Sequence, residues 1–238
     1  VMVCNFIQFY MSYIHSLGGR ILDFSFLRGY NIYFLTGAVN TVILAIFTVF
    51  FGVIIGTFIA LLKISRNRVL RFISTAYIEF IRGTPLMVQL FIIYYGIPLP
   101  VPDVTILGMN MSRFIPGVMA LSINSGAYVA EIIRAGIQAI DKGQMEAARS
   151  LGLTHSMAMR YIILPQAIRN ILPALGNEFV VVIKESSIVS IVGIADLMFN
   201  TNVVRGALYK PMEPLLVAAL IYFILTFTLS KFLNKAER

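Results

Sequence analysis

The chain has 238 residues, 58% of them hydrophobic and only 13% charged, and its mean hydropathy is +0.85. A soluble domain of this length carries about 25% charged residues, so the composition excludes that class and predicts a single-domain, all-α integral membrane protein. The formal charge of +8, from 19 Lys and Arg against 11 Asp and Glu, is therefore placed against a membrane before nucleic acid is considered.

Crossing a bilayer takes about 20 mostly apolar residues as a helix. Residues 1–29 are apolar but interrupted by Asn5, Gln8, His15, Gly18, Gly19 and Arg20, which predicts an N-terminal interfacial or short extracytoplasmic helix; a sixth span there is the alternative. No basic n-region precedes an apolar core, so no cleavable signal is expected. Cys4 is the single cysteine, which excludes an intrachain disulfide or a cysteine metal cluster. From residue 30 onward a transmembrane domain is expected to run to 238, with spans at roughly 32–62, 70–97, 114–138, 167–195 and 212–233.

Basic residues orient these spans. Lys63, Arg66, Arg68 and Arg71 follow the first span without an acid. Arg134, Lys142, Arg149, Arg160 and Arg169 follow the third, and Lys231, Lys235 and Arg238 end the chain. All three regions fall on one side, which predicts an outside N-terminus and a cytoplasmic C-terminus.

Within span two, RGTP places Gly83, Thr84 and Pro85 at membrane depth and predicts a broken helix. Freed backbone groups there are able to bind substrate, or neighbouring helices satisfy them. Pro173 with Gly176 suggests a similar bend in span four.

Between spans three and four lies EAARSLGLTHSMAMRYIILP, residues 146–165, a polar stretch in an oily chain. Gly152 suits the left-handed position that ends a helix, and Thr154 suits the cap of the next. Ala147, Ala148 and Leu151 make one narrow apolar stripe; Met157, Tyr161 and Leu164 make another. Pro165 is expected to bend the chain into span four. On physics alone, residues 139–165 are as well read as a plain connecting loop as a docking element.

Six charged residues fall within the predicted spans: Glu79, Arg82, Glu131, Glu178, Lys184 and Glu185. Such residues are costly and face a bundle interior or a watery cavity. Glu79 and Arg82, at i, i+3, are expected to neutralise each other. Glu131 is expected to form a helix-end pair with Arg134. Glu178 and Glu185 stand two turns apart on one face, with no basic residue on it. On span three, Asn124, Tyr128 and Glu131 share a face. These groups predict a substrate pathway; helix–helix hydrogen bonding in lipid is the plain alternative.

Glu146-Ala147-Ala148, Gly152 six residues on, then Ile162, Leu164 and Pro165, resemble the EAA signature of type I ABC-transporter permeases. EFIRGTPLMVQL (79–90), INSGAYVAEIIRAGIQAI (123–140) and LGNEFVVVIKESSIVSIVG (175–193) are similar in order and spacing to the polar amino acid class of that family. The resemblance covers about residues 30–235. It implies that the EAA element is a coupling helix, with Glu146, Ala147, Ala148, Arg149 and Gly152 docking on a separate ATPase. It further implies two ATPase subunits carrying ATP and Mg, a second permease subunit, an extracytoplasmic amino-acid-binding protein, and a prokaryotic cell membrane location.

The chain carries no Gly-Lys pair and hence no P-loop, and it lacks an H-E-x-x-H motif. No catalytic residue, metal site, cofactor of its own or nucleic-acid partner is expected. The substrate-pathway candidates are Glu178, Glu185, Asn124, Tyr128, Gly83, Thr84 and Pro85. Four intramembrane carboxylates against two cations lean the substrate toward Arg, Lys or His. A stand-alone secondary transporter or channel, and a non-transporting membrane scaffold, are the rival readings.

Overall fold

The computed structural model describes residues 22–65, 67–98, 100–106 and 108–236. The expectations for residues 1–21, with Cys4 and His15, and for Arg66 and Arg238 lie outside the described residues.

The chain opens into one long helix, α1 (Leu27–Ile64), broken from the next by an extended Ser65. Asn67 caps α2 (Arg68–Gly83) by accepting from the Val69 N–H at 2.9 Å. Pro85 then begins α3 (Leu86–Gly96), and the two helices meet at 108°. A two-stranded hairpin, β1 (Thr105–Ile106) and β2 (Met109–Asn110), turns through Gly108 at φ 77°. Asn110 caps α4 (Met111–Gln138). The short helix α5 (Lys142–Ser150) is capped by Asp141, and α6 (His155–Ala158) by Thr154. A π turn over Met159–Ile163 leads into α7 (Leu164–Glu185), and a 3₁₀ turn over Ser186–Val192 follows it. α8 (Leu197–Leu208) and α9 (Glu213–Ala236) complete the described chain.

α1 and α9 are each long and apolar enough to cross a membrane on length and composition, and the bent pair α2–α3 passes the same test as one broken span. The membrane location follows from these helices. The predicted break at Gly83–Pro85 is therefore observed, and it is sharper than a kink. At Pro173 α7 continues as one helix, and Gly176 there makes room for Leu233 of α9, whose Cδ2 would lie 2.9 Å from an added Cβ. Pro165 lies in the first turn of α7, directly after the π turn that joins it to α6. The stretch between the fourth and fifth predicted spans is helical in α8.

α1 and α4 form the most extensive pairing of the bundle. Gly52 and Gly56 sit one turn apart on α1, and a Cβ at Gly56 would stand 2.6 Å from Val129 Cβ and 2.8 Å from the Gly126 carbonyl oxygen. This is the small-residue crossing that lets helix backbones approach in an apolar solvent, where burying oil against oil drives nothing. At the other end of α1, α8 is sewn on by polar contacts. Thr41 accepts from the Leu197 N–H at 3.0 Å, Asn40 donates to the Ala195 carbonyl at 2.8 Å, and Asn200 donates to the Tyr33 carbonyl at 2.9 Å. Beyond them, Lys210 pairs with Asp23 at 2.6 Å and holds that exposed carboxyl well below the usual carboxylate range.

Candidate functional site

The polar residues of the membrane interior gather where α3, α4 and α7 meet α1. Glu178 is 8% exposed and accepts a hydrogen bond from Ser125 at 2.8 Å. Glu185, two turns further along α7, is exposed, and with Thr48, Asn124 and Ser125 it lines a small crevice. Glu185 and Asn124 thus share the crevice, Glu178 is joined to it through Ser125, and no ion pair among the described residues reaches either carboxylate.

Gly83, Thr84 and Pro85 stand beside this group at the break between α2 and α3. Breaking a helix frees carbonyls that lipid cannot satisfy. Here the Gln89 amide takes them: it donates to the Ile81 carbonyl at 2.7 Å, the Thr84 carbonyl at 3.0 Å and Thr84 Oγ1 at 2.8 Å. Its own oxygen accepts from Asn124 at 2.9 Å. The Ile81 and Thr84 carbonyls are therefore held within the chain, and Gln89 is the residue that sequence reasoning passed over. Its signal was present, since a glutamine inside an apolar run requires partners. Replacing Gln89 with leucine is expected to lower the melting temperature of the purified permease sharply, at about 1–3 kcal/mol for each buried group left unpaired. A wild-type melting curve would show that the break is sealed another way.

The remaining interior charges find partners other than those their spacing suggests. Glu79 and Arg82 do not pair; Glu79 is exposed, and the Arg82 guanidinium lies 5.5 Å from the centre of the Tyr128 ring. An i, i+3 spacing only permits a contact, and a long side chain settles on whatever the neighbouring helix offers. Tyr128 therefore parts from Asn124: it is 37% exposed and stacks under Arg82. Glu131 pairs with Arg134 at 2.7 Å as expected, and also with Lys63 at 2.5 Å, which ties the end of α1 to the end of α4.

Immediately beyond that tie stands the EAA stretch. Glu146, Ala147 and Arg149 on α5 are exposed, and Ala148 alone is buried, at 2%. Gly152 adopts φ 84°, the left-handed position expected of it, and the Gly152 and Leu153 N–H groups close the helix on the Arg149 and Ala148 carbonyls at 3.1 and 3.2 Å. Arg149 adds a hydrogen bond to the Leu153 carbonyl at 3.1 Å. The expected apolar stripe divides: Leu151 is 84% exposed, and it is Ala158 and Ile163, rather than Met157 and Tyr161, that face inward.

Residues 52–236 match the family of binding-protein-dependent transport system inner membrane components. The chain belongs to that family. Among its relatives is the putative glutamine transport system permease protein GlnP of Rickettsia conorii (strain ATCC VR-613 / Malish 7), 44% identical over 82% of this chain and 86% of the relative. The arginine transport system permease protein ArtQ of Bacillus subtilis (strain 168) is 42% identical over 90% of this chain and 95% of its own length. A crystal structure of an amino acid ABC transporter with histidines is 52% identical, with a TM-score of 0.83 over 92% of this chain and 99% of that chain. The permease resemblance read from Glu146, Gly152 and Pro165 is thereby borne out: the chain is a type I ABC-transporter permease of the polar amino acid class. Membership also implies, in general terms, an ATPase and a binding protein as partners.

Proposed function

We propose that this permease forms half of the membrane pathway of an ATP-driven importer for polar amino acids, with cationic ones such as Arg, Lys and His favoured. The observation that carries the preference is the pair Glu178 and Glu185. The other interior carboxylate that is held in an ion pair lies away from it: Glu131 is matched by Lys63 and Arg134, while Arg82 lies over Tyr128. Glu178 and Glu185 have no salt-bridge partner among the described residues, and carboxylates left so in a membrane call for a positive partner. Every amino acid carries an ammonium group, and a cationic side chain supplies a second. Asn124 and Ser125 stand beside the pair as orienting groups, with Tyr128 at the exposed edge. Relatives named for arginine and glutamine transport support the substrate class.

Glu178→Gln and Glu185→Gln keep shape and remove charge. Uptake of labelled arginine into proteoliposomes is expected to fall about 10-fold or more in at least one of them, since a charge-assisted hydrogen bond is worth about 1.5–3 kcal/mol. ATPase assembly should stay intact. Uptake unchanged in both would return these residues to helix packing.

In the same proposal α5 is the coupling helix, set in the groove of an ATPase that binds ATP and Mg, and five spans place it in the cytoplasm with the N-terminus outside. Two ATPases and a second permease copy or relative complete the complex. Orientation is read by labelling: with Cys4 replaced, a cysteine at Asn67 should resist an impermeant thiol reagent in intact cells and one at Asp103 should react. The opposite pattern would invert the topology.

A further inference from the structure

α2 carries a surface that the site described above does not use. Its sequence divides the helix into three faces. Ser74, Ile78 and Ile81 are buried against the bundle. Val69, Phe72, Ile73 and Phe80 point away from it, each more than half exposed. Arg68 and Arg71, both exposed and one turn apart, stand on the edge between the two, and Phe72 lies one turn beyond Arg68.

The turn into this helix belongs to KISRNRVLR, residues 63–71, which holds four basic residues and no acid. Lys63 is taken by Glu131, and Arg66 lies outside the described residues. Arg68 and Arg71 meet neither a carboxylate nor an aromatic ring among the described residues. Arg82, at the other end of α2, has settled on Tyr128 instead. The depth of the turn follows from α1. A helix of 38 residues is about 57 Å long at 1.5 Å per residue, against a hydrocarbon core of about 30 Å, so its charged end and the turn after it reach the headgroups. Apolar side chains flank the turn on both sides: Leu61 and Ile64 of α1 are exposed, as are Val69, Phe72 and Ile73 of α2.

We infer that Arg68 and Arg71 bind the phosphate of an anionic phospholipid, whose acyl chains lie on Val69, Phe72 and Ile73. A guanidinium meets phosphate oxygens with two parallel hydrogen bonds. A free phosphate or an acidic protein segment answers the arginines and leaves the apolar face bare, whereas a phospholipid answers both with one molecule. Two unmatched guanidiniums select a headgroup of net negative charge, because a zwitterionic one brings its own cation to the same place. The turn that the lipid steadies begins at Lys63, whose pairing with Glu131 ties α1 to α4. The inference rests on the membrane location alone and is independent of the importer reading and its substrate.

The chain contains no tryptophan, so Phe72→Trp places a single indole reporter beside the two arginines. The full-length reporter chain is reconstituted in vesicles of phosphatidylcholine and phosphatidylglycerol, with brominated acyl chains on one lipid or the other. Quenching of the indole gives the relative association of the two lipids at that position. Each arginine near an anionic surface is worth about a factor of five, so phosphatidylglycerol is expected to be favoured about 10-fold or more at low salt. Adding Arg68→Gln and Arg71→Gln together is expected to bring the ratio close to one. Both side chains are exposed, so neither change disturbs packing. Arg68→Lys with Arg71→Lys should keep much of the preference, which separates lost charge from lost structure. A ratio near one in the reporter chain overturns the lipid site, and so does a raised ratio that the double glutamine variant leaves unchanged. Quenching by brominated phosphatidylglycerol that inorganic phosphate relieves at constant ionic strength assigns the arginines to a soluble anion and also overturns it.

Discussion

Gly56→Leu is expected to leave no well-folded permease. A Cβ at this position meets Val129 Cβ and Cγ1 at 2.6 Å and the Gly126 carbonyl oxygen at 2.8 Å. Val129 is fully buried and the carbonyl is backbone, so neither has room to retreat. Overpacking of this kind costs about 1–3 kcal/mol where neighbours can shift and more where they cannot. Here it falls on the main helix crossing of the bundle. Size-exclusion chromatography and thermal melting of the detergent-solubilised protein read the effect. Gly29→Ala is the matched control, because nothing lies within 4 Å of an added Cβ there. Equal melting temperatures for Gly56→Leu and the control would mean that α1 and α4 do not cross this closely.

The second large effect is expected at the proposed joint with the ATPase. Gly152 has φ 84° with open space around it, so a substitution there meets no steric neighbour and acts through the backbone alone. Valine is strongly disfavoured at positive φ, and forcing the residue into an ordinary conformation re-aims Leu153 and Thr154 and releases the cap on α6. Glu146→Arg acts on a different variable, reversing a charge on the exposed face of α5. Both are expected to reduce ATP-driven uptake about 10-fold or more, by uncoupling hydrolysis from transport or by preventing ATPase assembly. Gly152→Asn, with a side chain that tolerates the left-handed region, should keep much of what Gly152→Val loses. Normal assembly with normal uptake in Gly152→Val and Glu146→Arg would remove α5 from the coupling role.

Some of these features are properties of a few adjacent residues, and those were legible in advance. Gly152 has only local backbone geometry to satisfy, so its left-handed turn, and the Thr154 cap two residues on, could be read from residue type alone. The break at Gly83–Pro85 was equally local, because a proline nitrogen has no hydrogen to give in any fold. The apolar runs of α1, α9 and the broken pair α2–α3 followed from the cost of exposing polar groups to lipid, which depends on composition along the chain. The pairing of Glu131 with Arg134 needed only one turn of helix.

What the sequence by itself determined about this permease was its solvent, its helical runs and their punctuation, and the family that the punctuation identifies. The tertiary structure alone decided which side chains meet. Arg82 stands one turn from Glu79 but lies over Tyr128, 46 positions away, because α4 brings that ring within reach. Lys63, read only as a marker of the cytoplasmic side, closes on Glu131 across 68 positions. Gln89 was overlooked because its carbonyl partners become available only when α2 and α3 turn through 108°, and Asn124 reaches it only when α4 packs alongside. Gly52 and Gly56 carry no local message inside a helix; they matter because Gly126 and Val129 fill the space that their missing side chains leave. The physical reason is common to all four. Caps, breaks and solvent preference are satisfied within a turn or two of chain, whereas a buried charge, amide or glycine is satisfied by whatever another helix presents, and that is set only when the helices are packed.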